Sequence, residues 1–129
     1  MTGGQMAPTT LPGQVTQTTP YGRDVNYSGY PVRICEMLST LSGVAYAERV
    51  AVNNVPNIRK AKAAIKKALT AQIGKKGFSI VEVLSGCPTN WHMDPVSANK
   101  RISEAMIPVF PLGVYKDVTA QAESEVQHG

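Results

Sequence analysis

Two stretches, Val44-Ala-Tyr-Ala-Glu-Arg-Val-Ala-Val52 and Phe78-Ser-Ile-Val-Glu-Val-Leu84, decide the fold of this chain together with the segment 53–77 between them. Both stretches are rich in β-branched and aromatic residues and are bounded by Asn and Gly, so each reads as a strand. Asn53-Asn54 ends the first. Pro56 then falls where the first turn of a helix tolerates it, with Asn54 or Val55 just before it. Ile58, Ala61, Ile65, Leu69 and Ile73 recur at helical spacing and form an apolar stripe on this helix. Arg59, Lys60, Lys62, Lys66 and Lys67 fall mostly on the other side, and Gly74 or Gly77 ends the helix. Strand, amphipathic helix and strand in this order form a βαβ unit, hence a parallel pair with a right-handed crossover. Parallel sheets are covered on both faces and rarely stop at two strands. The expected fold is therefore α/β with an incomplete parallel sheet: one βαβ unit, flanking helices and long loops.

Outward from this unit, Ile34, Met37, Leu38 and Leu41 predict a helix that Gly43 stops. Cys35 within it reads as an inert small residue. On the other side, Asp94-Pro95 marks the start of a helix over about 95–106. Ile107-Pro-Val-Phe-Pro-Leu-Gly-Val-Tyr115 is expected to run extended, interrupted by Pro. The tail Thr119–Gly129 is polar, small and expected to fray. Residues 1–33 are rich in Thr, Pro and Gly, and Pro8, Pro12, Pro20 and Pro31 exclude a continuous helix or a central strand. A run this long without regular structure is either functional or disordered. The expected organisation is thus a loop segment 1–33, an α/β part 34–118 and a tail 119–129.

Composition excludes several classes. The chain has 129 residues, 43% of them hydrophobic, and a net charge of +4. No apolar run approaches the ~20 residues of a membrane span, and the N-terminus lacks a signal-peptide pattern. A cytoplasmic protein without a membrane partner is expected. Two cysteines, Cys35 and Cys87, make no disulfide scaffold and no zinc-ligand spacing. His92 and His128 assemble no catalytic set with a nucleophile. The basic helix 57–76 is either a solvated face or a binding module for an acidic partner, and without aromatic interleaving it does not read as nucleic-acid binding. Cys87 follows the second strand through Ser85-Gly86, beyond the carboxyl end where open α/β sheets bind ligands. A buried structural cysteine and one of the four ligands of an iron–sulfur cluster are both compatible with that position.

Several segments resemble one family. Met1-Thr-Gly-Gly-Gln-Met-Ala-Pro-Thr-Thr10, Thr18-Thr-Pro-Tyr-Gly-Arg-Asp24, Val81-Glu-Val-Leu-Ser-Gly-Cys-Pro-Thr-Asn-Trp91 and Pro111-Leu-Gly-Val-Tyr-Lys-Asp117 are similar, in the right order, to the β subunit of 2-oxoacid:ferredoxin oxidoreductases. The nearest branch acts on 2-oxoglutarate or branched-chain 2-oxoacids. The resemblance implies a thiamine diphosphate-binding α/β fold and oxidative decarboxylation of a 2-oxoacid to an acyl-coenzyme A, with electrons passing to ferredoxin. It implies thiamine diphosphate, Mg2+ and a four-iron four-sulfur cluster as cofactors of the complete enzyme. It places Thr2, Gly3, Gly4 and Gln5 beside the thiamine site, makes Cys87 a cluster ligand, and puts Thr9, Thr10 and Arg23 toward the substrate and coenzyme A side. The family's Gly-Asp-Gly metal motif and Cys-x-x-Cys ligands do not occur here. The expectation is a fragment, an internal-start product or a split subunit, incomplete and without cofactor alone. Its partners would be the upstream half of the subunit and the other oxidoreductase subunits, with oligomerisation expected.

Overall fold

A computed structural model describes residues 5–118. In chain order the elements are helix α1 (Val25–Ser28), helix α2 (Ile34–Ser39), strand β1 (Val44–Ala51), helix α3 (Val55–Ile73) and strand β2 (Phe78–Leu84). Helices α4 (Pro88–Trp91) and α5 (Pro95–Arg101) follow, then a π-helical turn (Ile102–Met106) and strand β3 (Gly113–Asp117). The βαβ unit stands as its pattern predicts: β1 and β2 pair in parallel from Val44 opposite Phe78 to Ala51 opposite Leu84. The Asn54 side chain caps α3 by accepting from Asn57 N at 2.9 Å, with Pro56 in the first turn. Asp94 caps α5 in the same way through Val96 N and Ser97 N. Both caps satisfy donors that a helix start leaves without partners.

The structure refines several expectations. The 107–115 segment is extended only towards its end. The π turn ends with Ile107 N bonded to Ile102 O, the chain turns through Val109, and only Gly113–Asp117 forms a strand. That strand pairs antiparallel with β1, so the sheet is mixed and ordered β2-β1-β3. Of the apolar stripe of α3 only Ala61 packs. Ala61, Ala64 and Ala71 are buried, whereas Ile58, Ile65, Leu69 and Ile73 are exposed. Small side chains let the helix backbone sit close on Val50 and Val81, and the bulky aliphatics are left on the flank. Residues 5–33, in turn, hold ordered structure: α1 and isolated bridges Pro12–Arg23 and Thr16–Thr19.

On the face opposite α3, alternation along β1 turns Arg49 inward, fully buried. Its Nη1 and Nη2 bond the Glu36 carboxylate of α2 at 3.0 and 2.5 Å, and its Nε bonds Glu82 of β2 at 2.8 Å. Nη1 also reaches Pro111 O and the Tyr115 hydroxyl, and the guanidinium lies 5.4 and 5.0 Å from the Phe110 and Tyr115 ring centroids. One side chain therefore joins α2, β1, β2 and β3. Burial works against the charged guanidinium, but the hydrogen bonds it donates to Glu36 and Glu82 outweigh it and hold Arg49 cationic. The same bond from Arg49 holds the Glu36 carboxyl below its ordinary value. A second cluster, Ala51, Leu84, Ile102, Met106 and Phe110, lies at the carboxyl ends of the parallel strands.

Candidate functional site at the carboxyl end of the sheet

Beyond Leu84 the chain reaches Gly86, where any side chain would be crowded. A Cβ there would lie 3.3 Å from the Ala98 Cβ and 3.3 Å from the Trp91 ring. Close approach of backbone to α5 thus favours glycine. Cys87 follows as the residue capping α4, with its carbonyl accepting from Trp91 N at 2.9 Å and its thiol at the surface. His92 closes the turn in a left-handed conformation at φ 53. Cys35 contrasts with it. It is fully buried, and burial, with the nearby Glu82, pushes its thiol up to about 12. One of the two cysteines is therefore presented to solvent beyond the carboxyl end of the parallel pair, and the other is an inert thiol.

The long loop folds against the same end. Leu11 packs on the Ala51–Leu84–Phe110 cluster, and Gln17 N donates to Asn90 O at 2.8 Å, tying the loop directly to the Cys87 turn. Arg23 holds the loop's shape. Its Nε donates to Gly29 O, its Nη1 to Pro8 O and Thr10 O, and its Nη2 to Ser28 O and Tyr30 O, at 2.7–3.2 Å. The five N–H donors of a guanidinium are thus matched by five backbone carbonyls. A buried knot of Thr16 and Thr19 hydroxyls, 2.7 Å apart, and Gln14, whose side chain accepts from Leu11 N, complete the loop.

Of the residues singled out from sequence, Thr10 and Arg23 are buried and joined, Thr9 is half-buried beside them, and Gln5 is exposed at the start of the loop. Thr2, Gly3 and Gly4 lie outside the described residues, as does His128. Sequence reading missed Gln14, Thr16 and Thr19. Their signal, polar residues in a Pro- and Thr-rich run, is indistinguishable from an exposed leader until the tertiary hydrogen bonds are known. Among the described residues no group of three or more His, Cys, Asp or Glu side chains converges as a metal site. Cys87 fits a cluster as a single donor only, with further ligands required from other chain segments. On α3, Arg59, Lys60, Lys62 and Lys66 are exposed, whereas Lys67 is drawn to β3 by the Asp117 carboxylate and lies 5.3 Å from the Tyr46 ring centroid. None of the helices among the described residues is long and apolar enough to cross a membrane.

Comparison with known proteins follows the same outline. The chain is 48% identical over 123 residues to the ketoisovalerate oxidoreductase subunit VorA of Methanothermobacter thermautotrophicus, covering 95% of this chain and 26% of the relative. The VorA subunit of Methanothermobacter marburgensis matches to the same extent. The 2-oxoglutarate synthase subunit KorB of Archaeoglobus fulgidus is 36% identical over 104 residues, 81% of this chain and 34% of the relative. The chain thus spans about a quarter to a third of the length of these curated relatives. No protein-family model matches the chain, and no solved structure matches it.

Proposed function

Because this chain belongs to the 2-oxoacid:ferredoxin oxidoreductase subunits and corresponds to a segment of them, we propose that it forms one wall of their cofactor site. In this reading the loop 1–33 lies along a bound thiamine diphosphate, and Cys87 supplies one thiolate to an iron–sulfur cluster. The observation that carries it is the hydrogen bond from Gln17 N to Asn90 O, which sets the loop and the Cys87 turn side by side. Both then occupy the carboxyl end of the parallel pair, where α/β sheets bind ligands. When bound, thiamine diphosphate supplies the electron sink for decarboxylating a 2-oxoacid, the cluster carries electrons to ferredoxin, and coenzyme A accepts the acyl group.

The chain's own residues bind and orient. Gly3 and Gly4, lacking Cβ atoms, allow the backbone close to the diphosphate, with Thr2 and Gln5 beside them. Mg2+ takes its ligands from elsewhere in the subunit. Thr9 and Thr10 face the substrate side, and Arg23 acts there by fixing the loop, since its donors are taken by carbonyls. The exposed Cys87 thiol is free to ligate, and the buried Cys35 is not. The remainder of the subunit and the other oxidoreductase subunits are the implied partners.

The test is reconstitution with the missing part of the subunit, followed by iron analysis and calorimetry with thiamine diphosphate. Cys87→Ser should lower bound iron and cluster absorbance, and Cys35→Ser should leave both unchanged. Unchanged iron in the Cys87→Ser protein would remove Cys87 from the ligand set. Tight thiamine diphosphate binding by the 129-residue chain alone would overturn the shared-site reading.

A further inference from the structure

Charge is unevenly divided along this chain. Residues 50–81 hold seven of its 13 Lys and Arg and no Asp or Glu, so the rest of the sequence is net acidic. Helix α3 and the turn after it carry the whole excess. Of these cations only Lys67 has a carboxylate partner among the described residues, the side chain of Asp117. Arg59, Lys60, Lys62 and Lys66 are exposed and form no ion pair there, and the same holds for Lys75 and Lys76 just beyond the helix.

Helical spacing gathers three of them. At 3.6 residues per turn Arg59, Lys62 and Lys66 fall within about 60° of one another, along about 10 Å of helix. That arc lies opposite the buried Ala61, Ala64 and Ala71, on the face turned away from the sheet. The arrangement works against the helix itself. Lys62 stands three residues from Arg59 and four from Lys66, spacings at which like charges repel. The first turn also has no acidic residue to match the positive end of the helix dipole. A face that serves only solvation usually mixes signs, with acids four residues from bases. A face of one sign instead sets up a field that draws in opposite charge.

We propose that the outer face of α3 docks an acidic protein surface through Arg59, Lys62 and Lys66. Carboxylates of the partner would relieve the repulsion among the three cations as they bind. Nucleic acid fits less well, because the large apolar residues exposed on this helix are aliphatic and offer no ring on which a base could stack. An anionic bilayer also fits less well. A helix lying on a membrane turns its apolar face inward, whereas here the cations are outermost and Ile58 and Ile65 lie to one side. The inference rests on the charge of this helix and on neither cofactor.

The experiment titrates the 129-residue chain with poly-L-glutamate at ~0.15 M salt and follows amide shifts along the backbone. Binding should saturate, with the largest shifts at 59–66. Lys62→Glu should weaken it about fivefold. Arg33→Glu makes the same change in net charge at another exposed site and should leave binding nearly unchanged. Lys62→Glu should also raise the urea midpoint of unfolding, because it turns the repulsions with Arg59 and Lys66 into attractions. A variant that folds more stably and binds less has not lost binding through unfolding. Three outcomes overturn the proposal: no saturable binding, an equal loss in Arg33→Glu, or tighter binding at the same salt to duplex DNA or to phosphatidylserine vesicles.

Discussion

At the residue scale, Arg49 and the two cysteines carry the sharpest consequences. Arg49 is a buried cation satisfied by two carboxylates, a carbonyl and a phenol. Removing one member of a buried charge network leaves the others uncompensated, at a cost of about 3–5 kcal/mol. Arg49→Ala should therefore lower unfolding free energy in urea by that amount. Arg49→Lys should recover little of it, because an ammonium cannot bridge Glu36 and Glu82 with the same planar fork. The cysteines differ by exposure. One thiol per folded chain should react promptly with an aromatic disulfide reagent, and the second only after denaturant is added. In Cys87→Ser the prompt reaction should vanish; if it persists, the assignment of the exposed thiol is wrong. The sequence placed Cys87 after a strand, but it could not distinguish an exposed thiol from a buried one. That difference is set by the helices packed around Gly86.

At the element scale, the loop and the connection into β2 depend on specific backbone demands. Arg23→Lys should release the loop, since one ammonium cannot serve five carbonyls spread from Pro8 to Tyr30. Limited proteolysis should then cut within 8–31 while the dichroism of the sheet and α3 is unchanged. Cleavage elsewhere, or none, would show that the loop does not rely on Arg23. Gly77 enters β2 at φ +132, and a Cβ there would fall 2.8 Å from Gly43 O. Gly77→Ala should cost ~1–3 kcal/mol through backbone strain and displacement of β1's neighbour. The βαβ unit was legible in the sequence because strand composition, the Asn54 cap and Pro56 all agree. The packing face of α3 was not. Periodicity marks the isoleucines and Leu69 as apolar, but the close approach to Val50 and Val81 selects the alanines instead.

At the scale of the whole molecule, pH acts on both limbs of the stability curve. Glu36 is held below its ordinary 4.5 in the folded state, so the stability it contributes is present above that value and lost as pH falls through the folded one. Cys35 is raised from 9.0 to about 12, so its contribution is present below 9.0 and lost as pH rises toward about 12. Chemical denaturation across pH should show a decline on each side. Glu36→Gln should flatten the acid limb and Cys35→Ala the alkaline one; a limb unchanged by its substitution would assign that decline to another group.

The sequence by itself determined the α/β class, the parallel strand pair and the family, because each is written in local composition, spacing or contiguous motif. Tertiary structure decided the antiparallel β3, the burial of Arg49, the ordering of the loop by Arg23 and the uncovered flank of α3. All four depend on contacts between residues far apart in the chain. Arg49 reaches across 62 positions to Pro111, a span over which residue periodicity carries no information. Charge pattern alone marks Arg49 as a surface residue. Only the two carboxylates converging from α2 and β2 make it the interior link between the sheet and its covering helix.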